Sequence, residues 1–482
     1  MDRNLAGFSC DLKGNTTPFP HFWEHTMGSD HALMALRADW QRDLKRCHDE
    51  LGFKYVRFHG ILDDDMGTLI MENDQLVYSF FNTDQIFDYL LSIGMHPFVE
   101  LSFMPSMLSS GSDVVFKYKG CINPPGNINA WNTLISKLVT HCVDRYGIEE
   151  VSLWMFEVWN EPNLDVFWKG TQAQYFDLYL NTATTIKKVN SALRVGGPAT
   201  AANDWIPAFL DFCKKNNAPV DFVSTHHYPT DSFGKPGDDT ITQLAESERS
   251  ILQKEAGIAK TEARGKPLYY TEWSTSSNPF DVLHDQPYAA SFIIKTVIEA
   301  QSLVNGYSYW TFSDIFEEKY FSSIPFHGGF GLMNIYGIPK PSYRAFEILH
   351  QCGDTQLTVD GKHDTVDVWL FKKDNTYNII STNWALPRHY IDTERVRIKL
   401  LNAGRVKNAS VRYIDDNNSN APKEWIDMGS PDSLLPKQAE LLEAKSKLVA
   451  APIEITIEDG INYLEITLLP QATACVTFEV YE

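Results

Sequence analysis

The sequence predicts a (β/α)8 TIM barrel with a C-terminal accessory antiparallel β-sandwich, and three observations predict it. Between residue 5 and about residue 349, short β-rich runs alternate with helical stretches, and eight extended runs stand out. Eight such units fit a closed barrel better than an open doubly wound sheet. No GxGxxG or P-loop follows any run, which removes the nucleotide-binding alternative. After about His350 the texture changes to short strands parted by turn residues, as in a sandwich. The expected domains are residues 1–349 for the barrel and 350–482 for the sandwich, with the first residues candidates for the sandwich.

In order, the eight runs are residues 8–12, 55–59, 97–103, 151–159, 194–197, 222–225, 268–272 and 306–312. Residues 33–51 read as the first helix because Leu36, Trp40, Leu44 and Cys47 recur at helical spacing. Further helices are expected around 86–91, 173–188 and 290–303. In the sandwich, Val366-Trp369-Phe371, Tyr377-Ile379, Val396-Ile398-Leu400 and Val411-Tyr413 read as strands. Ile453-Ile455-Ile457, Tyr463-Leu464-Ile466 and Cys475-Thr477-Glu479 continue the pattern. Residues 415–420 form a polar loop, and 439–448 fit one helix. No internal repeat points to a solenoid.

Composition narrows the function classes. The 482 residues suffice for two or three domains. A hydrophobic fraction of 43% and an aromatic fraction of 13% supply a large core and exclude a disordered chain. Lys+Arg 42 against Asp+Glu 62 leaves a net charge of −20, which disfavours a nucleic-acid partner. No run approaches the roughly 18–20 apolar residues of a membrane span. Met1-Asp2-Arg3-Asn4-Leu5 shows no secretory signal. Cys10, Cys47, Cys121, Cys142, Cys213, Cys352 and Cys475 contain no CxxC spacing, so buried reduced thiols and a cytoplasmic location are expected. A homo-oligomer is left open.

The chemistry gathers where barrel strands finish, the working end of such folds. Phe156-Glu157-Val158-Trp159-Asn160-Glu161-Pro162 ends an apolar run with Asn-Glu-Pro, and Leu268-Tyr269-Tyr270-Thr271-Glu272-Trp273 ends another with one glutamate. Counting back from the eighth run puts Glu161 on strand four and Glu272 on strand seven. Facing carboxyls across a barrel mouth are what acetal hydrolysis requires: one protonates the leaving oxygen, the other attacks or guides water. A spacing of about 5–5.5 Å means retention, and about 6.5–9.5 Å means inversion.

Five stretches in order carry a family resemblance: residues 53–60 (FKYVRFHG), 158–162 (VWNEP), 221–229 (DFVSTHHYP), 270–274 (YTEWS) and 310–318 (WTFSDIFEE). The chain resembles glycoside hydrolase family 39, which holds β-xylosidases and α-L-iduronidases. The sandwich resembles the family's accessory domain in texture alone. The resemblance implies that Glu161 is the general acid/base and Glu272 the nucleophile. Asn160 then binds the sugar 2-hydroxyl, Arg57 keeps Glu272 ionised, and Tyr228 holds the same carboxylate. His59 and His226 line the sugar subsite, Trp310 forms an aromatic platform, and Glu317 and Glu318 grip the terminal sugar's hydroxyls.

Each position has a plainer reading beside it. A strand-end histidine is often a satisfied core group, and His227 competes with His226 because neighbouring strand residues point opposite ways. For the same reason His226-His227 is a poor metal pair. Trp310 could simply fill the core. Asp63-Asp64-Asp65 reads as solvated acidic surface. Phe116 and Phe167, on loops after strands three and four, are candidates for a hydrophobic entrance. His21-Phe22-Trp23-Glu24-His25 is a candidate roof over the pocket.

The function expected is a retaining exo-glycosidase, a β-1,4-xylosidase acting on xylo-oligosaccharides, with no cofactor and no metal. The loop after strand eight offers Glu317 and Glu318 with one Lys319, which favours a neutral sugar over a uronate. The alternatives are an α-L-iduronidase-like enzyme, an arabinosidase or another glycosidase of the family, or a non-catalytic sugar-binding barrel.

Overall fold

The computed structural model describes residues 5–235 and 237–481. Eight parallel strands close into a barrel: Thr26–His31, Tyr55–His59, His96–Leu101, Met155–Val158, Arg194–Thr200, Phe222–His226, Leu268–Trp273 and Gly306–Tyr309. The last pairs with the first through Tyr309 and Met27. A principal helix follows each strand: Ala38–Leu51, Phe81–Ser92, Ile128–Tyr146, Gln172–Val189, Ile206–Asn216, Ile251–Glu262, Pro287–Glu299 and Pro341–Gln351. The first shows the local logic. Trp40, Leu44, Cys47 and Leu51 are buried along one face, and the helix stops at Gly52 with φ +79°. A Cβ at Gly52 would lie 2.6 Å from the His350 ring, so only glycine lets the first helix close against the last.

Phe98, Met155 and Phe222, backed by Tyr55 and Tyr269, plug the barrel near the start of their strands. With that end sealed by aromatic rings, polar side chains collect at the opposite end.

Two expectations need correction. Residues 8–12 are not a barrel strand. Leu5–Asp11 instead lies in a five-stranded sheet, between Val359–Asp360 and Glu394–Leu401, and runs parallel to the latter. Its residues alternate between open and buried, the pattern of a strand with one covered face. The true first barrel strand, Thr26–His31, is buried throughout. One strand replaces the other in the count, so Glu161 and Glu272 still follow strands four and seven. Second, His21–His25 do not roof the pocket. They precede the first strand, and the His25 ring stacks on Tyr55 at 4.4 Å, beneath the plugged end.

The five-stranded sheet is completed by Ile461–Leu468 and Ile455–Glu458. A seven-stranded sheet faces it, in the order Thr16–Pro18, Thr355–Leu357, Val366–Lys373, Thr376–Asn383, Thr473–Tyr481, Arg405–Ile414, Ala451–Pro452. Phe8, Leu370, Ile379, Ile398, Leu464 and Phe478 belong to the core shared by the two sheets. The pairing is antiparallel except where Leu5–Asp11 meets Glu394–Leu401. Trp384 meets Tyr288 and Phe292 of the seventh barrel helix, which seats the sandwich on the barrel.

The polar loop at 415–420 ends in a short helix, Ala421–Asp427, capped by the Asn420 side chain on the Lys423 N–H. A second, Pro436–Ser446, covers most of the expected 439–448. All seven cysteines are buried and unpaired. Among the described residues, no helix is long and apolar enough to cross a membrane. Met1–Asn4, on which the reading of the N-terminus rested, lie outside the described residues.

Candidate active site

One arginine organises the barrel mouth. Arg57, fully buried on strand two, reaches four side chains. Its Nη1 donates to Glu272 Oε1 at 2.8 Å, its Nε to Glu157 Oε2 at 2.6 Å and its Nη2 to Asn160 Oδ1 at 3.0 Å. Glu100 Oε2 lies 2.6 Å from Nη2. Burial alone would weaken the guanidinium's hold on its proton, but Glu100, Glu157 and Glu272 more than reverse this, so its pKa rises. A cation fixed here keeps three carboxylates close together.

Glu272 is held from two sides, because the Tyr228 hydroxyl donates to Oε2 at 2.8 Å. Burial and the neighbouring Glu272 push the Tyr228 pKa up, so it stays a donor. Glu161 sits differently. Its backbone N–H is tied to Ala199 O at 2.8 Å, and φ is +42°, a turn that aims the side chain inward from the end of strand four. His226 Nδ1 lies 2.9 Å from Oε1, while its Nε2 meets Thr271 Oγ1 at 3.0 Å. Burial raises the Glu161 pKa to about 7, with Arg57 opposing. Burial lowers that of His226 to about 4, so a neutral ring faces the acid. A carboxylate oxygen of Glu161 and one of Glu272 lie within 4.8 Å of each other. An approach this close fits the short carboxyl spacing of a retaining pair, about 5–5.5 Å, better than the about 6.5–9.5 Å of an inverting one.

The remaining candidates lie around the same carboxyl pair or its neighbours. His59 Nε2 is 3.8 Å from Glu272 Oε1 and 3.7 Å from Glu318 Oε1, with Nδ1 on Glu100 at 2.8 Å. Trp310 tilts against His59 at 4.8 Å, and a Cβ on Gly28 of strand one would lie 2.6 Å from its ring. Phe116 and Phe167 touch at 5.4 Å, and Trp159 Nε1 fixes the second loop by donating to Phe167 O at 2.9 Å. Lys117 N donates to Glu318 O at 2.7 Å, joining the loop after strand three to the loop after strand eight. Glu318 and Glu317 are both partly buried, with side chains 12% and 19% exposed. His227 points away, to Ser232.

Sequence reasoning missed Glu100, Glu157, Phe103 and Tyr118. The first two had a signal: an acid inside an otherwise apolar strand, where it must find a partner. Of Asp63-Asp64-Asp65, read as solvated surface, Asp64 and Asp65 are exposed but Asp63 is not. Asp63 is buried and accepts the Phe103 N–H at 2.9 Å, and burial raises its pKa to about 7. The apparent charge run is one structural acid beside two others.

Among the described residues, two groups bring three metal-type ligand atoms within 4.8 Å: Glu161-His226-Glu272, and His21-Glu24-His350 at the opposite end. In the first, both His226 nitrogens already have protein partners. In the second, His21 and His350 each direct Nδ1 to Glu24 Oε1, at 2.7 and 2.8 Å.

The family description "Glycosyl hydrolases family 39" matches residues 9–460, most of the chain. The chain is a family 39 glycosyl hydrolase. A curated beta-xylosidase of Caldicellulosiruptor saccharolyticus is 47% identical over 467 residues, covering 95% of each chain. Another, from Geobacillus stearothermophilus, is 34% identical and covers 96% of this chain and 93% of the relative. Among solved structures, a monomeric beta-xylosidase from Caulobacter crescentus CB15 superposes with a TM-score of 0.88 at 35% identity, covering 99% of this chain and 100% of that one. Like this family 39 enzyme, structures of the family combine a (β/α)8 barrel with a C-terminal β domain.

The burial of Glu161 has a thermodynamic signature. A carboxyl raised from 4.5 to about 7 in the folded chain costs nothing below its ordinary value; its cost grows as pH rises from about 4.5 to about 7 and is constant above that. Glu161→Gln should therefore match the parent's melting temperature near pH 4 and exceed it above pH 7, by up to about 3 kcal/mol of stability. An offset independent of pH would show that ionisation is not its source.

Proposed function

We propose that the enzyme is a retaining, exo-acting β-xylosidase that releases xylose from the ends of β-1,4-linked xylo-oligosaccharides. The observation that carries this is the close approach of two unlike carboxyls. Glu272 receives two donors, Arg57 and Tyr228, that favour its anion. Glu161 is buried beside a neutral histidine and keeps its proton to about pH 7. Glu161 then protonates the glycosidic oxygen while Glu272 attacks the anomeric carbon. In the second step Glu161, now ionised, takes a proton from water as that water displaces Glu272.

Asn160, oriented by Arg57, binds the 2-hydroxyl, a contact that strengthens in the transition state. Trp310 offers its face to the sugar ring, and Phe116 and Phe167 wall the entrance. The backbone bond between Lys117 and Glu318 closes one side and supports action at a chain end. Glu317 and Glu318 suit hydroxyl donors and repel a substrate carboxylate, which argues against a uronate. The beta-xylosidases similar to this chain support xylose over other neutral sugars.

A panel of 4-nitrophenyl glycosides tests the reading. The β-D-xyloside should have a kcat/KM at least about tenfold above the α-L-arabinofuranoside, β-D-glucoside, β-D-galactoside and α-L-iduronide, a discrimination within reach of pocket contacts. The first product seen by NMR should be the β-anomer. Preference for the iduronide would overturn the sugar assignment, and an initial α-anomer the retaining one.

A further inference from the structure

We propose that Asp30 and His31, at the end of the first barrel strand, form a latch that positions Glu317 and Glu318 against the sugar. The inference rests on the reading of those two acids as the hydroxyl-gripping pair and assigns what holds them.

Asp30 and His31 are 1% and 0% exposed, so neither is a surface residue. Asp30 Oδ2 accepts the backbone N–H of Glu317 at 2.8 Å and faces His31 Nδ1 at 3.2 Å. The other ring nitrogen of His31 lies 3.3 Å from Asp65 Oδ2 and 3.5 Å from Glu317 Oε1. The ring stacks on Tyr118 at 3.8 Å and 11°. Lys117, next to Tyr118, donates its N–H to Glu318 O at 2.7 Å. Four segments thus meet at one imidazole: the end of strand one and the loops after strands two, three and eight.

Both nitrogens of His31 face carboxylate oxygens. Ionised carboxylates only accept, so a ring that satisfies both sides carries two N–H groups and a positive charge. The groups around it are Asp30 on its own strand, His59, Asp63 and Asp65 from strand two and its loop, Tyr118, and Glu317 and Glu318 from the loop after strand eight. Burial pulls the imidazolium's pKa down, but Asp30 and Asp65 outweigh it and raise it to about 10. Glu318 shows why the cation matters: burial and the acids Asp30, Glu272 and Glu161 push its pKa well up, and His31 opposes them. Asp30 fixes the backbone of the acidic loop, His31 fixes and neutralises its first side chain, and Tyr118 brings the facing loop down on the same ring. These are positioning residues, acting through the acids that touch the sugar.

Three variants of the full chain, assayed on the 4-nitrophenyl β-D-xyloside, test this. Glu317→Gln should raise KM. His31→Phe keeps the ring on Tyr118 but removes the charge and both hydrogen bonds, and should raise KM about ten- to a hundredfold with kcat changed much less. Asp30→Asn keeps an oxygen for the Glu317 N–H and removes the anion that holds the proton on His31. Its KM should rise with pH between 6 and 8, because the ring now loses its proton there, whereas the parent's KM stays level over that range. If Glu317→Gln leaves KM unchanged, the reading of the acid pair fails. If Glu317→Gln raises KM while His31→Phe and Asp30→Asn match the parent in KM and in its pH dependence, the reading stands and the latch is wrong. Should His31→Phe not fold, Asp30→Asn and its pH profile decide alone.

Discussion

Glu272→Ala should abolish turnover on every glycoside, by roughly 10⁴–10⁶-fold in kcat, because the attacking atom is gone. Azide can then react only in the space the carboxylate leaves, directly at the anomeric carbon, and its product should have inverted configuration. Glu161→Ala should behave differently. On substrates with poor leaving groups it should lose about 10²–10⁴-fold, the usual contribution of acid assistance. On an activated aryl xyloside the glycosyl-enzyme should still form and then accumulate, since no base activates water. Azide needs no base, so it should restore turnover and give a product of retained configuration. In the parent, kcat/KM should fall as pH rises through about 7, where Glu161 loses its proton, and that limb should vanish in Glu161→Ala on the activated substrate. The two roles are reversed if the leaving-group dependence appears in Glu272→Ala instead.

The second large effect belongs to Arg57. Arg57→Met should lower stability by roughly 3–5 kcal/mol, the usual cost of leaving buried partners of an ion pair uncompensated. Glu100, Glu157 and Glu272 would face one another without their cation. One or more would take up a proton, and a protonated Glu272 is no nucleophile, so activity should collapse as well. Adding Glu100→Gln should recover part of the melting temperature, because it removes one of the repelling charges, yet restore no activity. No recovery in the double variant would mean that lost packing, rather than uncompensated charge, accounts for the instability.

How much was legible in the sequence follows from what each residue must do. Glu161 and Glu272 stood out because each closes an apolar run, and a charge there is either partnered or working. Arg57, Tyr228 and Trp310 were legible through the resemblance of their motifs, and the structure places all three against the carboxyl pair or its neighbours. The first barrel strand was not legible. Its sequence, Thr-Met-Gly-Ser-Asp-His, has neither β-branched runs nor alternation, because it is shaped by its neighbours: Gly28 makes room for Trp310, and Asp30 and His31 serve the loop after strand eight. Leu5–Asp11 looked more like a strand because its alternation is real, but alternation marks a sheet with one open face. Glu100 and Glu157 carried a signal, an acid inside an apolar strand, but not the identity of what they serve. Their partner is an arginine far away in sequence, and only closure of the barrel brings them to it.

The parallel pairing of Leu5 with Arg395 has a consequence for how the chain is made. At about 5–20 residues per second, a ribosome takes roughly 20–80 seconds to add the intervening length. Throughout that interval the barrel can assemble from local βα units, but Ala6, Phe8 and Cys10 have no sheet to enter. A segment synthesised well before the barrel is thus among the last to be seated. A protein made only as far as the end of the barrel would carry this strand with its hydrogen-bonding edge and apolar face open, so the barrel cannot be separated cleanly by cutting at residue 349.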